Sequence, residues 1–170
     1  YQFNGLLYGD YKVNETIQAG WICTTPNAAG EYLFHVDSGF LDLDNDFGNF
    51  KLGKISGHKW NDLDGDGVWD GGEPALSGWN ITLSGPVSGW VLTDVNGYYE
   101  FTGLTVGTYT VGEKLQADWI QTWPSAPGTY SIPVTSGTDS KDNDFGNQRP
   151  VKFVKEFSGS QVHECRRLRH

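Results

Sequence analysis

The amino-acid sequence predicts an all-β protein built as a seven-stranded Greek-key β-sandwich. Three observations support this fold class. Short runs of alternating apolar and polar residues recur along the chain, and no segment shows a convincing helical periodicity. Twenty-three glycines and seven prolines stand between these runs, where they favour turns. The sequence also repeats itself at a spacing close to the size of one sandwich domain.

The internal repeat has an offset of 98 residues. Asp44-Asn-Asp-Phe-Gly-Asn49 recurs unchanged from Asp142 to Asn147, and from Tyr1 onward about half of the paired positions are identical without a gap. Residues 53–150 therefore form one complete repeat, whereas residues 1–52 correspond to the C-terminal half of a repeat, a truncated first copy. Residues 151–170 carry five Lys and Arg against two Glu and resemble no part of the repeat, so they form an atypical basic tail.

The truncated copy should have an uncovered sheet face and open strand edges, near Phe3, Tyr11, Val13 and Trp21. We therefore expect the chain to be a piece of a longer array of repeats, or residues 1–52 to be completed by another chain.

The complete repeat divides into seven predicted antiparallel strands. They cover residues 54–60, 79–84, 90–93, 98–101, 108–115 and 129–134, and a last strand around Phe145. Asp94-Val-Asn-Gly97 predicts a β-hairpin between the third and fourth strands. Residues 116–128, which include Trp119 and Trp123, are predicted as a long loop.

Composition excludes several functions. A net charge of −9 argues against nucleic acid as a partner, because nucleic-acid binding needs a basic surface. No apolar run is long enough for a transmembrane helix, so membrane insertion of this segment is not expected. The chain has no Gly-x-Ser-x-Gly motif and no metal-binding pair of histidines, which favours a non-enzymatic protein. Two cysteines, Cys23 and Cys165, cannot form a disulfide framework, and the sequence leaves their pairing open.

One segment has the full ligand spacing of an EF-hand-type calcium loop. Its ligand positions are Asp62, Asp64, Asp66, Val68 (through its carbonyl), Asp70 and Glu73. Gly67 allows the sharp turn that such a loop requires, and Ca²⁺ would relieve the repulsion among the carboxylates. Glycines and a proline after the loop argue against flanking EF-hand helices. A solvated acidic loop is the alternative.

This chain resembles the B-type domains of serine-aspartate-repeat surface adhesins, which are similar to the collagen-adhesin B-type and prealbumin-like, or Ig-like, sandwiches. The motifs that carry the resemblance are residues 59–73, 93–101, 107–113 and 142–147. The resemblance implies a secreted or cell-surface stalk module, repeated in tandem and stabilised by calcium. Its expected partners are neighbouring repeats of the same protein, with an extracellular protein or glycan ligand as a further candidate.

Two further sites follow from this resemblance. Collagen-adhesin B-type domains form an internal isopeptide bond from a lysine, a glutamate and an asparagine placed like Lys59, Glu113 and Asn147. The alternative is that Lys59 extends to the surface and that Glu113 pairs with Lys59 or with water. Related domains also bind additional calcium ions near such carboxylates, and the possible second metal site here is Asp94, Asn96, Asp142 and Asp144. Ordinary turn chemistry and a solvated acidic edge explain that second set equally.

Carbohydrate or ligand binding is the rival function. The chain contains seven tryptophans, and exposed indole rings stack on sugar faces. Trp119 repeats Trp21 and is expected in the framework, which leaves Trp69, Trp90 and Trp123 as candidates for an exposed binding surface.

Overall fold

The computed structural model describes residues 1–151, so the predicted basic tail lies outside the described residues except for Val151, and so does Cys165. The described chain consists of thirteen strands and no helix, and therefore has no helix able to cross a membrane. The strands are β1 Gly9–Asn14, β2 Trp21–Thr25, β3 Glu31–Val36, β4 Gly48–Lys51, β5 Gly53–Asn61, β6 Asn80–Ser84, β7 Gly89–Leu92, β8 Tyr98–Leu104, β9 Gly107–Glu113, β10 Ile120–Trp123, β11 Tyr130–Val134, β12 Asp139–Ser140 and β13 Phe145–Gln148.

The complete repeat folds into two facing sheets. β5 is central in the first sheet, where it pairs with β8 on one edge and with β12 and β13 on the other, and β10 pairs with β13. The second sheet has the order β11-β9-β6-β7. Both sheets contribute apolar side chains to one buried cluster. The predicted β-sandwich is therefore confirmed.

The core of the sandwich is largely aliphatic and aromatic. Ile55 and Phe145 from the first sheet and Tyr109 and Val111 from the second are completely buried. Each large apolar side chain buried in this way stabilises the fold by about 1.5–3 kcal/mol. Trp119 packs edge-on against a second buried indole, so it belongs to the framework as expected.

Three details of strand pairing differ from the prediction. Residues 53–150 hold nine strands rather than seven, because residues 120–123 of the predicted loop form β10 and Asp139–Ser140 form β12. β5 pairs in parallel with β12 and β13 rather than antiparallel, because the chain returns to β5 only after several crossings between the sheets. The turn at residues 94–97 forms, but it is not a hairpin, since β7 and β8 lie in different sheets.

Residues 1–52 form two separate ladders, β1 with β3 and β2 with β4. Val13 pairs with Tyr32, and the residues 98 positions later pair with each other in β9 and β11. Ile22 pairs with Phe50, and their counterparts pair in β10 and β13, with the same register shift in both ladders. The two units therefore share the same pairing register at the offset of 98 residues.

Residues 1–7 correspond in sequence to β8 but form no strand. In the complete repeat β8 pairs with β5, and no strand of the described chain is paired with β4 as β5 is with β13. Without a ladder partner the segment is irregular. One tertiary bond persists: the Tyr1 hydroxyl donates to the Asn45 carbonyl, as the Tyr99 hydroxyl donates to the Asn143 carbonyl.

Candidate functional site

Lys59, Glu113 and Asn147 meet in the interior of the sandwich. Lys59 lies on β5 and Asn147 on β13 of the first sheet, and Glu113 lies on β9 of the second sheet. The packing of the two sheets brings the three side chains together. Lys59 and Asn147 are 0% exposed, and the side chain of Glu113 is 1% exposed. Gly97 supports this part of β5, because its φ of 74° and its close approach to the Lys59 carbonyl leave no room for a Cβ atom. The sequence-based expectation that Lys59 points inward is confirmed.

Glu113 contacts both of the other two side chains. Asn147 Nδ2 donates a hydrogen bond of 2.7 Å to Glu113 Oε1, and Lys59 Nζ lies 3.5 Å from Glu113 Oε2. Lys59 Nζ also donates to the carbonyl of Phe145 at 3.0 Å and lies 4.6 Å from the ring centroid of Trp79. The carbonyl oxygen of the Asn147 side chain is buried and accepts no hydrogen bond. A buried lysine surrounded in this way has no access to the surface, which argues against the alternative of an exposed pair.

Burial shifts both ionisable groups toward their neutral forms. Desolvation lowers the pKa of Lys59 to about 8, although the nearby Glu113 carboxylate opposes this shift. Desolvation also raises the pKa of Glu113, against the opposing effects of Lys59 and of the hydrogen bond from Asn147. An uncharged lysine amine is a nucleophile, and a protonated carboxyl group can act as a general acid that donates its proton to a reacting group.

The second candidate site is residues 62–73, which we call the acidic loop. It connects β5 in one sheet to β6 in the other. One oxygen from each of Asp62, Asp64 and Asp66 lies within 4.8 Å of the others, and this is the one such group of three metal-binding side chains in the described chain. Glu73 closes the loop, because its carboxylate accepts from the backbone N–H groups of Leu63 at 2.6 Å and Asp70 at 3.1 Å.

Asp62 is the buried anchor of the acidic loop. Its two carboxylate oxygens accept from the backbone N–H groups of Gly65 at 2.6 Å and Gly67 at 2.8 Å. Desolvation would raise the pKa of Asp62, but these hydrogen bonds, together with the nearby Thr122 hydroxyl, outweigh it and lower the pKa. The hydrogen bond from the Asp66 N–H lowers the pKa of Asp64, but desolvation and the negative charges of its acidic neighbours together outweigh it, so the pKa is raised. The loop is thus curled around a local concentration of negative charge.

The structure gathers only part of the predicted calcium ligand set. The carboxylates of Asp62, Asp64 and Asp66 lie close together. Glu73, at the end of the loop, is connected to its start by a hydrogen bond from the Leu63 N–H. The Asp70 carboxylate does not join the three-carboxylate group. The ligand roles of all six residues, Asp62, Asp64, Asp66, Val68, Asp70 and Glu73, therefore stay predictions. Sequence reasoning missed the packing of Gln148, whose side-chain amide donates to the Leu63 carbonyl at 3.2 Å, because nothing in the pattern links these distant residues.

The predicted second calcium site is not assembled as a carboxylate cluster in the described chain. Asp94 accepts from the backbone N–H groups of Asn96 and Tyr98, both at 2.8 Å, as in an ordinary turn. Asp144 accepts from the backbone N–H of His58 at 2.7 Å. Asp142 has a positive φ of 58° in the loop before β13. This site stays a prediction.

The three tryptophans proposed for ligand binding are exposed, but they occupy different places. Trp69 stacks one face of its ring on Trp60, with centroids 5.7 Å apart. Trp123 lies beside the acidic loop at Gly67, and Trp90 lies on β7 of the other sheet. Trp69 and Trp123 thus both lie at the acidic loop, Trp90 lies on the other sheet, and glycan binding stays a prediction.

Comparison with known proteins identifies the family. The model of the SdrD B-like domain matches residues 51–149, more than half of the chain. The chain belongs to the SdrD B-like domain family. This membership confirms the resemblance inferred from the sequence motifs, and it places the chain in a secreted or cell-surface protein.

Among its relatives are much longer proteins. The chain is 35% identical over 159 residues to serine-aspartate repeat-containing protein C of Staphylococcus aureus, covering 86% of the chain and 16% of that protein. It is 33% identical over 175 residues to serine-aspartate repeat-containing protein F of Staphylococcus epidermidis, covering 90% of the chain and 11% of that protein. It is 33% identical over 170 residues to colossin-A of Dictyostelium discoideum, covering 95% of the chain and 1% of that protein. The chain thus spans at most about a sixth of these relatives.

Solved structures of pilus proteins are also similar. The minor pilin GBS52 of Streptococcus agalactiae matches with 13% identity and a TM-score of 0.45, covering 77% of this chain and 69% of that one. The major pilin subunit BcpA of Bacillus cereus matches with 23% identity and a TM-score of 0.39, covering 57% of this chain and 29% of that one.

Proposed function

We propose that this SdrD B-like chain is a non-enzymatic structural module, a calcium-stabilised segment of the stalk of a surface protein. The observation that carries the proposal is the acidic loop, which lies between β5 of one sheet and β6 of the other and holds three converging carboxylates. Its partners would be neighbouring repeats of the same protein.

The residues of the acidic loop fit a calcium ion. Carboxylate oxygens are the ligands that Ca²⁺ prefers, and the loop is already curled by the hydrogen bonds that Asp62 and Glu73 accept. No ion pair of the described chain neutralises Asp62, Asp64 or Asp66, so a bound cation would remove repulsion that protein groups leave in place. When bound, the ion would add stability to the folded state rather than chemistry.

A stalk also needs a defined junction between units. Lys51 lies at the end of the first unit, and its backbone N–H donates to the hydroxyl of Ser136 at 2.9 Å. The backbone N–H of Gly137 donates back to the Lys51 carbonyl at 2.8 Å. These paired bonds attach the first unit to the turn between β11 and β12 and limit rotation at the junction.

Removing calcium should lower the melting temperature by about 5–10 °C. Occupancy at a hundred times the dissociation constant contributes about 2.7 kcal/mol to stability, and each kcal/mol shifts the melting temperature by about 2–4 °C at this size. Differential scanning calorimetry with and without a chelator measures the shift. Asp64→Ala should abolish it, whereas Asp139→Asn, an exposed carboxylate outside the loop, should retain it. A wild-type melting temperature that is the same with and without the chelator would refute the proposal.

We further propose that Lys59 and Asn147 form an intramolecular amide bond. The specific observation that favours it is the burial of these two residues against Glu113, which contacts both. Lys59 Nζ attacks the side-chain carbonyl carbon of Asn147, a C–N amide bond forms, and the bond to Asn147 Nδ2 breaks to release ammonia. Glu113 carries the proton between the two nitrogens. Rotation of the Asn147 amide by a half turn would place its unpaired oxygen against a protonated Glu113, which would polarise the carbonyl.

The amide bond should appear in the intact mass. The full chain is expected to be lighter than its sequence requires by one ammonia. Asn147→Ala should restore the sequence mass, and Asn49→Ala, the counterpart of that substitution in the first unit, should leave the mass loss in place. An unshifted wild-type mass would show that Lys59 and Asn147 form no amide bond.

A further inference from the structure

In the described chain, no strand of the second sheet points a charged side chain outward. The strands β11, β9, β6 and β7 contain one charged residue, Glu113, and it points into the core. The exposed side chains that point outward from these strands include Thr82, Trp90, Leu92, Thr108, Thr110 and Pro133. We call this outer surface the uncharged face. It stands out in a chain with a net charge of −9, because charged residues normally lie on protein surfaces.

The outer surface of the first sheet is charged. On that surface Lys54 Nζ lies 3.5 Å from Glu100 Oε2 and 3.6 Å from Asp139 Oδ1. The two outer surfaces of the same sandwich therefore differ in charge, so the uncharged face does not simply reflect the composition of the domain.

The first unit shows that the fold does not require this lack of charge. β1 and β3 pair in the same register as their counterparts β9 and β11. Three outward positions that hold Thr, Thr and Pro in the complete repeat are occupied in the first unit by Asp10, Lys12 and His35. Lys12 forms an ion pair with Glu31, and His35 Nδ1 lies 2.6 Å from Asp10 Oδ1. Since these sheet positions accept charged side chains, the uncharged residues of the complete repeat have a reason other than folding.

The composition of the uncharged face is that of a protein–protein contact. The centre of such contacts is depleted of charged residues and enriched in aromatic ones, and tryptophan is common among the residues that dominate affinity. On β7, Trp90 is 62% exposed and Leu92 is 54% exposed. The Thr82 hydroxyl already donates to the Gly112 carbonyl at 3.1 Å, so a partner could cover it without leaving that donor unpaired.

The net charge favours a second copy of the chain as the partner. Two molecules that each carry a net charge of −9 repel one another, and contact through their acidic surfaces would bring carboxylates together. In a two-fold symmetric contact the same surface meets itself, so the uncharged face places no charge opposite a like charge. Four strands about 4.8 Å apart, with about 3.3 Å per residue, give a flat area of roughly 300 Å², whereas a stable interface buries about 800 Å² of surface per partner. The contact should therefore be weak.

We propose that the uncharged face binds weakly to the same face of a second copy of this chain, with Trp90 as the main contact. The partner is a separate molecule rather than the next repeat along the same chain. Because the face lies on the second sheet, away from the charged outer surface of the first, the contact requires no ion pair. It also requires neither bound calcium nor the amide bond, so its failure would leave both of those proposals standing.

Sedimentation velocity of the full chain over a concentration series tests the contact. The weight-average sedimentation coefficient should rise at protein concentrations on the order of 100 µM and above, as expected for a small interface. Raising the salt concentration from about 0.02 M to about 0.5 M should strengthen the association, because salt screens the repulsion between the two copies. An association that weakens with salt would depend on ion pairs and would overturn the proposal.

Two variants locate the contact. Trp90→Thr should weaken self-association at least about tenfold. Thr110→Lys should do the same although it reduces the net negative charge, because a charge within the contact must lose its hydration. The strand accepts this lysine, since Lys12 occupies the counterpart position in the first unit. Thr102→Lys is the matched control, the same substitution at an exposed position of β8 in the first sheet, and it should not weaken the association.

Several outcomes would overturn the proposal. One is a sedimentation coefficient that stays constant up to millimolar protein. Another is self-association that persists undiminished in Trp90→Thr and Thr110→Lys, which would come from a different surface. An equal loss in Thr102→Lys would also count against it. If the chain does not self-associate but a neutral glycan changes its tryptophan fluorescence, and Trp90→Thr removes that change, the uncharged face binds a glycan instead.

Discussion

Replacing Lys59 with alanine should lower the free energy of unfolding by about 3–5 kcal/mol. In chains whose Lys59 keeps a free amine, the substitution leaves Glu113 buried without its cation, and breaking one partner of a buried ion pair typically has an effect of this size. It also removes the amine needed for the proposed amide bond. Urea unfolding followed by tryptophan fluorescence measures the change. Lys54→Ala provides the control, because its ion pairs are substantially exposed and should contribute no more than about 1 kcal/mol. A loss below about 1 kcal/mol for Lys59→Ala would contradict the prediction.

A double variant separates the two origins of this loss. In Lys59→Met with Glu113→Leu, apolar side chains of similar volume replace both charges, and buried ion pairs replaced in this way often lose no stability. If the loss in Lys59→Ala comes only from the unpaired carboxylate, the double variant should regain most of it. Since we propose an amide bond in the wild type, we expect the double variant to stay less stable than the wild type.

The sandwich could be predicted from the sequence because its determinants are local. Alternation marks residues 79–84 as a strand, and β6 forms at Asn80–Ser84. The acidic loop was found because its ligand spacing lies within twelve consecutive residues. Pairing was harder. β5 lies parallel to β13, more than eighty residues later, and no local pattern specifies which strand returns to a given edge.

The buried group of Lys59, Glu113 and Asn147 shows the same division between local and long-range information. Alternation along β5 is enough to direct Lys59 inward, and the structure agrees. The placement of Asn147 and Lys59 against the same Glu113 depends on the unpredicted parallel register between β5 and β13, so only family resemblance could suggest it. The ring of Trp79 against the lysine went unpredicted for the same reason, because Trp79 lies directly before β6 of the opposite sheet. β10 was missed because its four residues are flanked by Asp118 and Pro124, which favour a loop.

The internal repeat carried structural information that single motifs did not. The first unit keeps the strand registers of the complete repeat, including a cis peptide bond before Pro26 as before Pro124. Residues 1–7 differ in backbone from β8 although their sequences correspond, because a strand requires a hydrogen-bonded neighbour and a matching sequence alone does not supply one.

The free energy of unfolding of an Asn147→Ala variant should rise by up to about 3 kcal/mol between pH 8 and about pH 10. This variant cannot form the amide bond, so Lys59 keeps its amine. The folded-state pKa of about 8 lies below the ordinary value of 10.5, and the unfolded chain therefore binds more protons in this range. Stability must then rise with pH by about 1.4 kcal/mol for each pKa unit between the two states. Chemical unfolding at a series of pH values measures the profile.

The wild type is the comparison that tests the bond, because an amide nitrogen does not titrate in this range. Its profile should lack the rise seen in Asn147→Ala. Tyr130, whose pKa desolvation raises to about 12, makes stability fall with pH as the unfolded tyrosine begins to ionise near pH 10, but it does so in both proteins. The difference between the two profiles therefore isolates Lys59. An equal rise in the wild type would show a free amine at Lys59, and a flat profile in Asn147→Ala would show that burial leaves the lysine at its ordinary pKa.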